Sequence, residues 1–174
     1  MENIQTVLEQ LKAYQHIVNA VTKGLGGMFF LSGLRGTGKT YVYKIVCHYL
    51  CSAGKIILCV ASNGITLLLL LGGCTTHSTF HIPINTLNAK SLCNISKQDK
   101  WAELLRAVNL IIWDEALMQS HFTHEALDRT LWDICDNEYT SFGGKTVVFK
   151  GDFQQILPVI PKSLQEEIIN ASLP

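Results

Sequence analysis

Near the start of the chain, apolar residues recur at three- and four-residue spacings: Val7, Leu8, Leu11, Tyr14, Ile17, Val18 and Val21. That period predicts an amphipathic helix over 5–22, closed by the breakers of Lys23-Gly24-Leu25-Gly26-Gly27. The pattern then changes to short apolar runs. MFFLS (28–32), KIILCVA (55–61), NLIIWDEA (109–116) and KTVVFKGD (145–152) each contain a strand-length apolar stretch that does not alternate with polar residues. Strands of that kind are buried on both faces, as in a parallel sheet. Helices separate them. One runs from about Lys39 to Cys51, a short one is WAELLRAV (101–108), and a third is HEALDRTLWDICDN (124–137), with Ala126, Leu127, Leu131, Ile134 and Cys135 on one side. After the turn Ser62-Asn63-Gly64, an apolar segment runs to Gly72-Gly73, and TTHSTFHIPI (75–84) reads as irregular, punctuated by Pro83. The alternation predicts a single α/β domain, a parallel sheet covered by helices on both faces.

Composition narrows this only a little. At 174 residues, 48% hydrophobic and 16% charged, the chain can build one real core and is short for two domains. Lys plus Arg equals Asp plus Glu at 14 each, so no global basic excess marks nucleic-acid binding, although a local groove can be basic in a neutral chain. The cysteines (Cys47, Cys51, Cys59, Cys74, Cys93, Cys135) form no C-x-x-C pair. His121 and His124 share a helix face without a cysteine pair beside them, so reduced thiols packed as small hydrophobes are the reading. MENIQTVLEQ has no signal or transit pattern, and ITLLLLLGG (65–73) is far shorter than the ~20 residues of a membrane span. A soluble, intracellular protein without a membrane partner is expected.

The chemistry lies at strand ends. GLRGTGKT (33–40) matches G-x-x-x-x-G-K-[ST] between a strand and a helix. The backbone N–H groups of Gly33, Leu34, Arg35, Gly36, Thr37 and Gly38 would cradle a nucleotide β-phosphate. Lys39 would neutralise the β- and γ-phosphates, and the Thr40 hydroxyl would ligate Mg²⁺. A plain glycine turn would not call for Lys and Thr directly after it. Asp114 and Glu115 close the LIIW strand on the same sheet edge. One acid there would hold Mg²⁺, and the next would polarise an attacking water; the alternative is an acidic helix N-cap. Gly151-Asp152-Phe153-Gln154-Gln155 follows the next strand, where an amide could touch the γ-phosphate; by itself the stretch reads rather as an ordinary βα turn.

Together with EQ-x-x-AY (9–14), the stretches VASNGITLLLLLGGCTTHSTFHIPI, LIIWDEALM, HEALDRTLWDI and GGKTVVFKGDFQQILPVIPK resemble the petite-integration-frequency DNA helicases of superfamily 1B. The likeness is nearest to the plant-type and Helitron-transposon-like branch and extends from about Leu8 to Lys162. It implies a P-loop NTPase fold, the first RecA-like motor domain. The segments would be a Q-motif helix at 5–22, Walker A at 33–40, a single-strand motif at 60–84, Walker B at 110–118 and a sensor motif at 147–160. The implied activity is ATP-dependent 5′→3′ DNA unwinding, serving repair, recombination and telomere maintenance. ATP and single-stranded DNA would be partners and Mg²⁺ the cofactor. Nuclear placement is implied, with a mitochondrial pool as the alternative.

By that resemblance Gln10 would read the adenine edge, Lys39, Asp114, Glu115 and Gln155 would be catalytic, and Thr40 with Asp114 would serve the metal. Thr76, His77, Ser78 and Phe80 would meet single-stranded DNA, Phe80 by stacking on a base. A loop histidine and a core aromatic are the alternative for His77 and Phe80. The chain departs from the family at Arg35, where Gly or Ala is usual, and at Leu117, Lys150 and Gln154. None of these removes a phosphate- or metal-contacting residue. The second motor domain, with its arginine finger, has no counterpart before Pro174, so the expectation is a truncated copy that does not unwind by itself. A nucleotide- or DNA-binding module without turnover and a small P-loop kinase are the alternatives.

Overall fold

A strand that is apolar throughout must satisfy its backbone N–H and C=O groups inside the protein, against other strands. In the computed structural model, which describes residues 2–33, 36–62, 74–84 and 87–152, the apolar runs do so in parallel. The strands are β1 (Gly27–Ser32), β2 (Ile57–Ala61), the two-residue β3 (Cys74–Thr75), β4 (Leu110–Asp114) and β5 (Thr146–Gly151). Their order across the sheet is β1-β5-β4-β2-β3. The helices are α1 (Glu2–Lys23), α2 (Lys39–Ser52), α3 (Thr76–Phe80), α4 (Lys100–Ala107) and α5 (His121–Cys135).

Alternation along each strand sorts the side chains onto two cores. Ile111, Trp113, Val147 and Phe149 meet Leu105 of α4 and Leu127 of α5 on one face. Leu110, Ile112 and Val148 meet Ile17 of α1 with Val46 and Leu50 of α2 on the other. Covered on both sides, β4 and β5 are buried along their whole length. Helix starts follow local capping: the Asp99 and Ser120 side chains accept from the N–H groups of Trp101 and Phe122.

The stretch 75–84 departs from its irregular reading. Thr75 Oγ1 accepts from the Ser78 N–H, Thr76–Phe80 turn into a helix, and His81 at φ 49° ends it. Five residues are too few to print a helical period, so only the cap betrays it. The apolar segment ITLLLLLGG lies outside the described residues. All six thiols are free, with Cys47 Sγ and Cys59 Sγ 3.9 Å apart in the core. Among the described residues no helix is long and apolar enough to cross a membrane, and no group of three or more His, Cys, Asp or Glu could hold a metal ion.

Candidate functional site

Three strand ends converge. The glycine loop follows β1, Asp114 and Glu115 end β4, and Gly151-Asp152 end β5. β1, β5 and β4 are parallel neighbours, so all three features share the carboxyl edge of the sheet, where open α/β sheets bind ligands. The loop enters α2 through Gly38 at φ 82°, a conformation that L residues adopt at a cost, and no side chain caps the helix. The orphan N–H groups of that N-terminus form a ready anion site. Lys39 Nζ folds across the loop and donates to the Gly33 carbonyl.

Gln10 of α1 clasps the loop from the side, its Nε2 donating to the Thr37 carbonyl at 2.8 Å. A Cβ on Gly38 would come within 2.6 Å of that nitrogen. The amide donor expected to read adenine is therefore engaged with the loop in this conformation. Beside it, Val7, Leu11, Tyr14, Tyr41 and Ile45 line an apolar cleft of about 230 Å³. The apolar stripe of α1 thus has two uses. Ile17 and Val21 are core, while Val7, Leu8 and Leu11 remain about half exposed. Leu34 and Arg35 lie outside the described residues, as does Gln155.

The acids are held tightly. Asp114 is fully buried. The β4–β5 register pairs Leu110 with Thr146 and Trp113 with Phe149, so the next step sets Asp114 opposite Lys150. Lys150 Nζ lies 2.8 Å from Asp114 Oδ2, with side-chain exposures of only 9% and 0%. Asp114 Oδ1 accepts the Glu115 N–H at 2.8 Å. The ammonium also stands 5.3 Å from the centre of the Tyr43 ring. Burial, helped by the charge on Asp114, pushes the Tyr43 phenol up to about 12.

Glu115 sits at φ 54°, and its carboxyl is raised above its ordinary value, first by burial and then by Asp114, with Lys150 and Lys39 opposing. Ser62 at the end of β2 staples this turn: its N–H donates to the Asp114 carbonyl at 3.2 Å, and its hydroxyl donates to the Glu115 carbonyl at 2.6 Å. Thr40 and Asp114 supply the hard oxygen donors that Mg²⁺ prefers. As arranged, however, they do not fit the ion, because both Asp114 oxygens are engaged and one of them holds a cation. Lys150, noted in the sequence only as a departure from the family pattern that removes no phosphate- or metal-contacting residue, is a direct partner of the expected metal-binding acid. Its signal was a lone lysine at the end of a wholly apolar strand. Ser62, a polar residue directly after an apolar strand, was missed as well.

The expected single-strand motif divides. Thr76 is buried and donates its hydroxyl to the Ala61 carbonyl at 2.9 Å. Phe80 is fully buried, its ring 6.0 Å from that of Trp113. Both expectations are corrected: these two side chains build the fold and have no surface with which to meet DNA. Ser78 is exposed, and His77 is half-buried with its Nδ1 3.4 Å from Gln119 Nε2. Ser78 opens onto a surface groove of about 390 Å³ shared with His81, Lys100 and Trp101. The rings of His81 and Trp101 lie within 20° of parallel in that groove.

Comparison with known proteins agrees with this fold. The chain is 33% identical over 135 residues to the ATP-dependent DNA helicase Pif1 of Psychrobacter sp. (strain PRwf-1), covering 77% of this chain and 20% of that protein. It is 27% identical over 150 residues to the ATP-dependent DNA helicase RRM3 of Saccharomyces cerevisiae, covering 85% of this chain and 20% of that one. It thus spans 20% of the length of these curated relatives. The Pif1 helicase from Bacteroides in complex with ADP-AlF3 and ssDNA superposes with a TM-score of 0.73 at 29% identity, covering 90% of this chain and 35% of that one. The model of the PIF1-like helicase family matches residues 5–174, nearly the whole length, and the chain belongs to that family.

Proposed function

We propose that this chain is the first, ATP-binding RecA-like motor domain of a 5′→3′ DNA helicase, with ATP as substrate and single-stranded DNA as partner. The observation that carries the reading is the meeting of the glycine loop, Asp114-Glu115 and Asp152 at one edge of three neighbouring parallel strands. In this reading the loop N–H groups and the α2 N-terminus hold the phosphates, and Lys39 exchanges the Gly33 carbonyl for phosphate oxygens. Glu115, made a stronger base by burial, takes the proton of the attacking water. Gln155 senses the γ-phosphate, Gln10 and its apolar cleft take the base, and His77 and Ser78 take DNA phosphates. Mg²⁺ is the cofactor that the family resemblance implies and would supply charge neutralisation between the phosphates, but Thr40 and Asp114 as arranged do not fit it, because Lys150 holds the carboxylate. Names of similar proteins, each an ATP-dependent DNA helicase, and of a neighbour holding ADP-AlF3 and ssDNA support the assignment. Nuclear placement rests on the family resemblance.

A second reading, a nucleotide- and DNA-binding module without turnover, is favoured by one observation: the Lys150 ammonium on Asp114. ATP hydrolysis with and without single-stranded DNA separates the two. The motor reading expects DNA-stimulated hydrolysis that falls by roughly 10²- to 10⁴-fold in Glu115→Gln while nucleotide binding persists. Tight binding without turnover selects the module. Phosphate transfer to a small acceptor would remove both.

A further inference from the structure

Lysine is rarely buried, and then only against a partner. Lys150 is buried at the centre of the proposed nucleotide site, yet neither phosphate loop nor sensor motif requires it. Strand parity puts it on the α2 face, in step with Val148, Ile112 and Asp114, and under Tyr43. Among the described residues, Asp114 at 2.8 Å is the carboxylate within salt-bridge distance of it. The aromatic ring on its other side accepts a cation but carries no charge. A fully buried carboxylate cannot stay unpaired, so Asp114 must always have a cation or a proton beside it. One carboxylate in one closed space serves an ammonium or a divalent ion, and like charges exclude each other there.

We propose that Lys150 is the resident cation of this site: its ammonium holds the Asp114 carboxylate that a nucleotide-borne metal would need, so nucleotide binds with little help from Mg²⁺. The inference rests on the reading of this sheet edge as a nucleotide site. It concerns which cation serves Asp114, and metal and ammonium exchange one for one. Loss of the ammonium leaves Asp114 uncompensated and creates a place with high demand for a divalent ion.

The experiment measures binding of a fluorescent ATP analogue to the 174-residue chain, in Mg²⁺ and in EDTA, for wild type, Lys150→Met, Lys150→Arg and Asp114→Asn/Lys150→Met. Wild type and Lys150→Arg are expected to bind with affinities that differ between the two buffers by less than about threefold. In Lys150→Met, Mg²⁺ should tighten binding by roughly 10- to 100-fold, the size that neighbours of a metal site carry, and the added Asp114→Asn should abolish that gain. A nucleotide-free readout accompanies it. Thermal unfolding of Lys150→Met should shift upward with Mn²⁺ or Mg²⁺, while wild type does not respond. Strong Mg²⁺ dependence in wild type that is unchanged in Lys150→Met overturns the proposal, as does a folded Lys150→Met blind to both metals. Should Lys150→Met unfold in EDTA, recovery of its transition in Mg²⁺ supports the proposal and failure to recover overturns it. Absence of nucleotide binding from every variant would sink the nucleotide reading, and the metal response of Lys150→Met would still decide this one.

Discussion

Replacing His124 by phenylalanine should flatten the acid limb of stability. His124 lies on α5, 5% exposed, its ring 4.4 Å from that of Trp113 and 5.3 Å from that of Phe149. Its Nδ1 is 3.3 Å from the Ser120 carbonyl, and its Nε2 is buried without a partner. Burial pushes the imidazole down from 6.5 to about 4, with the Ser120 carbonyl opposing and His121 assisting. The folded-state value is depressed, so the unfolded chain takes its proton near pH 6.5 and the folded chain does not until about 4. Stability is therefore complete above the unfolded value and is lost as pH falls toward the folded one. The gap corresponds to about 2 kcal/mol lost by pH 5 and roughly 3 kcal/mol by pH 4, against a typical total of about 5–15.

His77 is also held down by burial and adds in the same direction. Glu115 and Asp128 are raised by burial and act oppositely, since the folded state welcomes their protons. These terms are common to wild type and His124→Phe, so the difference between the two isolates His124. Urea unfolding followed by circular dichroism at about pH 7, 6 and 5 measures it. Wild type should lose about 2 kcal/mol more than the variant across that range. Equal slopes would refute the reasoning, because they would mean that the buried ring takes up its proton without penalty.

Phe80→Ala should destabilise the chain by roughly 3–5 kcal/mol, whereas Ser78→Ala should leave the melting temperature unchanged and weaken single-stranded DNA binding. A stable Phe80→Ala that loses DNA binding would return Phe80 to the DNA surface. Gly38→Ala forces a β-carbon into φ 82° and toward Gln10, with strain of roughly 1–2 kcal/mol and weaker nucleotide binding. In combination with Gln10→Ala the two effects should be non-additive when measured by nucleotide titration, and strict additivity would show that the Gln10 clasp is not made.

Where the chemistry is local, the chain was legible residue by residue. Apolar runs of strand length without alternation specify strands buried on both faces, and β1, β2, β4 and β5 lie where those runs do. A glycine loop between such a strand and a helix needs only near neighbours, and Asp114-Glu115 end their strand as the residue order requires. The helical period failed for Thr76–Phe80, since five residues hold little more than one turn. It failed differently for Thr76 and Phe80 as DNA contacts: a motif string says which residues recur together and not which of them face inward.

The sequence by itself determined the fold class, the phosphate loop and the acids, because each rests on spacings of a few residues along one element. Only the tertiary structure decided what surrounds them. Strand order brings β5 beside β4, and a register offset sets Lys150 against Asp114 across 36 positions of chain. In a dry interior that proximity couples the two charges into one unit, and no pattern in the order of residues carries it. The same holds for Gln10, whose reach to Thr37 across 27 positions depends on how α1 packs on α2. Period and motif reveal which groups are present, but charge pairing depends on distance in space, which packing alone sets.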